Sequence, residues 1–171
     1  YNTVTKQMNV GLYTHLRRFC ADRFYQLEIL EHELYGIPSK KDDIDHPTLV
    51  KFLASLGCPF EPRDYQYKAI AHGIEHLRCL LLSPTGSGKS FIIYNLLRYC
   101  YQVTEGKILV IVPTTSLVEQ MYKDFEDYGY DVENECHKIY SGKEKVTDKR
   151  IIISTWQSIY KFPKEWYEQF D

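Results

Sequence analysis

Apolar positions along this chain follow two different patterns, and the change falls near residues 57–64. Before it, short apolar stripes are separated by polar stretches. Within residues 10–25, Leu12, Leu16, Phe19 and Cys20 stand at helical spacing, which predicts an amphipathic helix, with Arg17, Arg18 and Arg23 around it. Residues 25–29 read as a short strand. The stretch 36–47 (GIPSKKDDIDHP) is polar, carries two prolines, and reads as a surface connection. A short helix follows, with Pro47 in its first turn, Leu49, Val50, Leu53 and Leu56 as its stripe, and Gly57 at its stop.

After the change, helices alternate with short continuous apolar runs. Residues 65–77 predict a helix, and 79–82 a strand that runs into a glycine-rich turn. Residues 89–101 predict a helix, and 107–112 (KILVIV) a β-branched strand ended by Pro113. Ser116 and Glu119 have the spacing of a capping box for a helix reaching about residue 128. Residues 136–140 and 150–154 are further strands, and Pro163 opens a last helix, PKEWYEQF. Strands that are apolar throughout and separated by helices predict an α/β fold with a parallel sheet covered on both faces.

Composition fits this picture. The 171 residues are 44% hydrophobic and 26% charged, a balance that excludes a disordered chain and is enough for a packed core. The formal net charge is −2, so a nucleic-acid partner must be argued from local features rather than from overall charge. No run is long enough to span a bilayer, and no signal peptide is visible. The five cysteines are scattered without a Cys-x-x-Cys pair, which points to reduced thiols in a cytoplasmic compartment. The chain starts at Tyr1 without an initiator Met, and both ends read as cuts through something longer.

The strongest chemical signal is Ser83-Pro84-Thr85-Gly86-Ser87-Gly88-Lys89-Ser90, a phosphate-binding loop set between a strand and a helix. Gly86 and Gly88 carry no side chain to block a phosphate, so the backbone N–H groups can turn inward. The helix that starts here adds its unsatisfied N–H groups and its positive dipole end. Lys89 is then suited to the β- and γ-phosphates and the Ser90 hydroxyl to Mg²⁺. The first position is Ser83 where the general motif has Gly. The loop names a nucleoside triphosphate and says nothing of the work done with it.

Three further segments narrow that work. Gln66, in Arg63-Asp64-Tyr65-Gln66, lies one helix ahead of the loop and can offer a donor and an acceptor to N6 and N7 of adenine. Thr114, Thr115 and Gln120, in the run after the 107–112 strand, combine hydroxyls with a helix N-terminus, which suits a nucleic-acid phosphate; helix capping accounts for them equally well. Thr155, in Ser154-Thr155-Trp156-Gln157, ends another strand, where ligands bind in parallel sheets. Trp156 reads as a packing residue rather than a base-stacking one. Ser141 and Gly142 are a weaker candidate for a backbone contact.

In this order, Gln66, SPTGSGKS, VPTTSLVEQ and STWQ resemble the Q motif and motifs I, Ia and Ic of the superfamily-2 helicases. The likeness is strongest over residues 65–170, where EGKILVIVPTTSLVEQM and STWQSIYKFPKEWYEQF are similar to members from T4-like bacteriophages. VGLYTHLRRFCADRF resembles, more loosely, the end of a small accessory domain that precedes the motor. The resemblance implies an incomplete RecA-like P-loop domain over 59–171, preceded by a small α/β accessory segment over 1–58. It implies an ATP-dependent DNA helicase acting on branched recombination, repair or replication-fork DNA, monomeric, with no membrane partner. Gln66 would recognise adenine with support from Arg63. Pro84, Thr85, Gly86, Ser87, Gly88, Lys89 and Ser90 would hold ATP and Mg²⁺, Lys89 acting in catalysis and Ser90 on the metal. Thr114, Thr115, Gln120, Ser141, Gly142 and Thr155 would contact DNA.

The same family carries an acidic motif II on the next strand, expected at or just after Asp171, and a second RecA-like domain. Asp42-Asp43 does not replace that acidic pair, so the chain alone is expected not to hydrolyse ATP. A restriction-enzyme-type duplex translocase shares these motifs. A P-loop kinase would explain the loop but not its neighbours. His72 and His76 stand at i, i+4 without a third ligand and read as solvent-facing rather than as a zinc site. Neither Cys136 nor His137 has a partner for nucleophilic chemistry.

Overall fold

The computed structural model describes residues 4, 8, 10–28, 44–76, 79–140, 144 and 146–170. After a 3₁₀ turn at Val10–Leu12, α1 spans Tyr13–Asp22, inside the predicted helix. Cys20 alone on it is buried; the three arginines are exposed, with Arg23 lying over the Phe19 ring at 4.1 Å. The chain then turns through Phe24 at positive φ, and residues 25–28 form no strand. Ile29 and residues 36–43 of the expected connection lie outside the described residues.

Helix α2 spans His46–Ser55 with Pro47 in its first turn, and Gly57 at φ 65 carries the chain out of it in the left-handed region where glycine is favoured. Helix α3 is Asp64–Glu75 and α4 is Lys89–Val103. Leu49 and Leu53 of α2, Ile70 and Ile74 of α3, and Ile92 of α4 pack into one buried cluster. Residues upstream of 58 therefore share a core with the helix that carries the glycine loop.

The sheet has three parallel strands in the order β1 (Ile108–Val112), β3 (Ile151–Thr155), β2 (Cys136–Ile139), with Ile108 beside Ile151 and Cys136 beside the same residue. Alternation along the strands sorts the core. Ile151 and Ile153 join Val112 and Cys136 against α4 and α5 (Thr115–Asp127), through Phe91, Tyr94, Val118 and Phe125. Ile152 and Ile139 face the opposite way, onto Ile159, Phe162 and Trp166. Short helices α6 (Val132–Glu135), α7 (Trp156–Ile159) and α8 (Lys164–Tyr167) complete the chain. The fold is α/β, with a parallel sheet covered by helices on both faces. No described helix is long and apolar enough to cross a membrane.

Residues 79–82 depart from expectation: they form no strand, and Leu82 is 88% exposed. A strand needs a partner, and among the described residues 79–82 have none: the sheet there consists of β1, β3 and β2, with one isolated parallel bridge, Lys107 with Phe170. That bridge also ends the last helix earlier than the sequence pattern predicts. A second departure concerns α5. Its N-cap is Thr114, whose hydroxyl accepts from the Leu117 N–H, and Glu119 instead meets Lys138 at 2.8 Å and the Tyr140 hydroxyl. Helix geometry begins at Thr115, after an extended Thr114, so the cap falls two residues before Ser116.

Candidate functional site

The glycine loop is built as the sequence requires of a phosphate cradle. Gly86 and Gly88 adopt φ 79 and 75, and a Cβ on Gly86 would meet nothing within 4 Å, so that side of the turn is open. Helix α4 starts at Lys89; the Lys89 and Ser90 N–H groups have no helical carbonyl behind them, whereas the Phe91 N–H already donates to the Gly88 carbonyl at 3.1 Å. The loop residues Gly86 and Gly88, the helix start, Lys89 and Ser90 are together at one end of α4, and they fit a triphosphate with Mg²⁺.

Inside the loop, hydroxyls replace the missing first glycine. Ser87 donates its proton to the Pro84 carbonyl at 2.8 Å, which leaves Ser83 as the donor in the hydrogen bond between the two serine hydroxyls. Ser83 thus fastens the start of the turn to its middle. The Lys89 ammonium donates to the Pro84 carbonyl at 2.8 Å and to Ser83 at 3.4 Å, across the same turn.

Support also arrives from outside the loop. The Gln66 amide, only 6% exposed, donates to the Ser87 carbonyl at 3.0 Å, while its oxygen accepts from the Arg63 N–H at 2.9 Å. Each end of the amide keeps one further hydrogen-bonding capacity after these bonds. A Cβ on Gly88 would lie 2.4 Å from the Gln66 nitrogen, so the amide passes directly over the glycine. The Tyr65 hydroxyl donates to the same Ser87 carbonyl at 3.0 Å. Sequence reasoning missed Tyr65, because nothing in its spacing separates it from an ordinary half-exposed helix residue.

Tyr128, at the end of α5, was also missed. Its ring packs edge-on against Phe91 at 5.2 Å and beside Tyr94 at 5.2 Å, next to Ser90. Burial, followed by the Asp124 carboxylate, pushes its phenol up to about 12, against a hydrogen bond with the Ser90 hydroxyl; the phenol stays protonated near neutrality. The far end of α5 therefore abuts the serine that opens α4.

The second group of sequence candidates gathers at the carboxyl ends of β1 and β3. Val112 sits beside Thr155 in the parallel register, so the chains leaving those residues emerge next to one another. Thr114, Thr115 and Gln120 are exposed on α5, and Thr114 also shares a hydrogen bond with the Ser116 hydroxyl at 2.9 Å. Thr155 is different: it is 4% exposed and its hydroxyl is bonded to Ser158 at 2.8 Å. Trp156, read above as a packing residue, is 56% exposed. The packing role belongs to Trp166, which contacts Phe162, Tyr167 and Phe170. Ser141 and Gly142 lie outside the described residues. His72 and His76 stack on each other at 4.0 Å, and among the described residues no group of three His, Cys, Asp or Glu side chains could hold a metal ion.

Comparison with known proteins adds to this geometry. A family model described as the res subunit of type III restriction enzymes matches residues 59–171. The ATP-dependent DNA helicase uvsW of Enterobacteria phage T4 is 34% identical over 169 residues, covering 94% of this chain and 33% of that protein. The ATP-dependent DNA helicase MPH1 of Scheffersomyces stipitis is 35% identical over 81 residues, 47% of this chain and 7% of its own length. A crystal structure of the UvsW helicase from bacteriophage T4 superposes with a TM-score of 0.82 at 34% identity, over 94% of this chain and 58% of that one. A second structure of T4 UvsW gives the same score over 33% of its chain. The chain thus spans about a third of the length of the curated phage relative.

Proposed function

The chain belongs to the family described as the res subunit of type III restriction enzymes, and from that premise we propose that it is the nucleotide-binding part of an ATP-dependent DNA helicase. The observation that carries this reading is the glycine loop at the start of α4, with Gly86 and Gly88 in left-handed geometry and Gln66 laid over Gly88. The names of the phage and yeast relatives support DNA as the substrate. Residues 59–171 are the motor part, and 1–58 are the end of an accessory domain whose last helix is packed into the motor's core.

In this reading ATP and Mg²⁺ are held by the loop. The Gly86 and Gly88 backbone and the first N–H groups of α4 cradle phosphate oxygens, Lys89 turns from the Pro84 carbonyl to the phosphates, and Ser90 takes the metal. Mg²⁺ supplies charge neutralisation across the phosphates. Gln66 keeps the free half of each amide end for adenine, with Arg63 beside it. Thr114, Thr115 and Gln120 meet the DNA backbone, while the buried Thr155 hydroxyl must leave Ser158 to do so. Phosphoryl transfer depends on positioning and on charge, and the acidic pair of the superfamily's motif II is not among the described residues around the loop. In this reading the chain by itself binds nucleotide weakly at best and does not turn it over.

The finer substrate reading is branched DNA of recombination, repair or stalled forks. The experiment is strand displacement by the full-length protein on forked and linear duplexes, wild type against Lys89→Ala. Forked substrates should be unwound preferentially with ATP, and the variant should lose turnover by at least about a hundredfold. Movement along duplex DNA without strand separation would favour the restriction-type translocase. Phosphorylation of a small molecule with no effect of DNA would sink the motor reading altogether.

A further inference from the structure

We propose that Trp156 and Tyr160 form a base-stacking platform for single-stranded DNA, placed immediately beyond the phosphate-facing end of the sheet. The proposal rests on the DNA-motor reading above and adds to it the part of the DNA that this surface touches.

The starting point is an exposure that the fold does not explain. Trp156 is 56% and Tyr160 50% exposed, in a chain whose other tryptophan is packed among three aromatic rings. Both rings stand on one short helix and its cap, four residues apart, so they share a face. Their centroids are 6.4 Å apart and their planes are tilted by 36°. That separation is too small to admit a base between the rings, and the tilt gives each ring its own open face. The pair therefore suits two successive bases rather than one sandwiched base. The Lys161 ammonium lies over the Tyr160 ring, 5.4 Å from its centroid, and adds positive charge beside the aromatic pair.

The platform is held firmly from below. Ile159 is fully buried against the sheet, and its carbonyl accepts from the Tyr167 hydroxyl at 2.6 Å and from the Phe162 N–H at 2.8 Å. Stacking on a surface fixed in this way costs little ordering of the protein. Its position matters as much. Trp156 follows Thr155, which is registered beside Val112, two residues ahead of the Thr114 cap of α5. Hydroxyls and helix N–H groups at that end suit phosphates, and the aromatic pair lies next to them on the adjoining strand's exit. A cationic and hydroxyl-bearing track flanked by aromatic faces is the arrangement that binds a single strand without reading its sequence. A duplex keeps its base faces stacked inside and cannot use such a platform, so the site selects unpaired bases.

The test uses the full-length protein and two fluorescent strands of equal length, oligo-dT and an abasic deoxyribose-phosphate strand, read by anisotropy. Trp156→Ala should weaken oligo-dT binding about five- to a hundredfold and leave abasic binding within about twofold. Tyr160→Ala should do the same to a smaller degree, and Trp156→Phe should restore most of the affinity. Equal losses on both strands, or no loss on either, would overturn the platform; the second result would mean that the rings are covered by another protein segment. If the wild-type protein binds neither strand, the DNA-motor reading fails before any variant is compared.

Discussion

Two junctions that lead into long helices, at α4 and at α5, are held in different ways. The junction from β1 into α5 follows a strand paired in register with β3 along its whole length, and Thr114 closes it with a local cap. The junction into α4 follows an extended segment with no ladder beside it, and its geometry comes from side chains: Ser83 on Ser87, Lys89 across the turn, and Tyr65 and Gln66 on the Ser87 carbonyl. A ladder fixes position through many cooperative bonds, whereas a few side chains leave the loop dependent on each one. The difference teaches that sheet stability and nucleotide-loop geometry can be perturbed separately.

The largest expected effect is on the sheet side. Arg150 sits ahead of β3 and donates to the carbonyls of Tyr101, Thr104 and Gly106 at 3.4, 2.7 and 3.2 Å, with its guanidinium 4.0 Å over the Tyr101 ring. Those carbonyls lie at or just past the negative end of α4, where a cation is favoured. Arg150→Met keeps most of the side-chain bulk and removes every donor, so it should cost about 3 kcal/mol in chemical unfolding. Nucleotide affinity of the folded fraction should not change, since Arg150 stands at the opposite end of α4 from the loop. A matching loss of affinity would break the separation.

On the loop side, Gly88→Ala places a Cβ 2.4 Å from the Gln66 nitrogen at a φ of 75. The left-handed backbone alone costs about 1–2 kcal/mol, and the displaced amide releases Ser87. Gly129→Ala is the control: its φ is 85, yet a Cβ there meets nothing within 4 Å. Both variants should lose comparable stability in thermal unfolding, but only Gly88→Ala should lose nucleotide binding by titration calorimetry. Equal binding by the two would mean that Gln66 does not hold the loop. Thr114→Ala, which removes the α5 cap, should cost about 1 kcal/mol in the same unfolding experiment and leave nucleotide binding alone.

The sequence disclosed these two junctions unequally, for a physical reason. The three strands within 107–155 were legible because β-branched runs such as ILVIV and IIIST carry their own pairing partners in the chain. Residues 79–82 are equally apolar, yet a strand is a property of two segments, and pattern alone does not reveal that among the described residues they have no ladder partner. The loop itself was legible because glycine, lysine and serine at those spacings have few other uses. Its outside supports were not, since Tyr65 and Tyr128 act through tertiary proximity that leaves no periodic trace. Trp156 was misjudged for a related reason: large aromatics are usually buried, and only the packing of Trp166 against the lower face of the sheet revealed which of the two tryptophans fills that role.

The smallest effect separates the two kinds of junction most sharply. Tyr65→Phe removes one of the two donors to the Ser87 carbonyl and leaves the ring in place, with Gln66 still bonded at 3.0 Å. One hydrogen bond at a half-exposed site contributes about 0.5–1 kcal/mol. If the loop is set by side chains, that amount reaches the nucleotide as an affinity lower by about two- to fivefold, with global unfolding nearly unchanged. If the backbone alone imposed the turn, as the ladder does at α5, the affinity would not move. Gln66→Ala in the Tyr65→Phe background should then lose more than the two single losses combined, because the second removal leaves the carbonyl with neither donor.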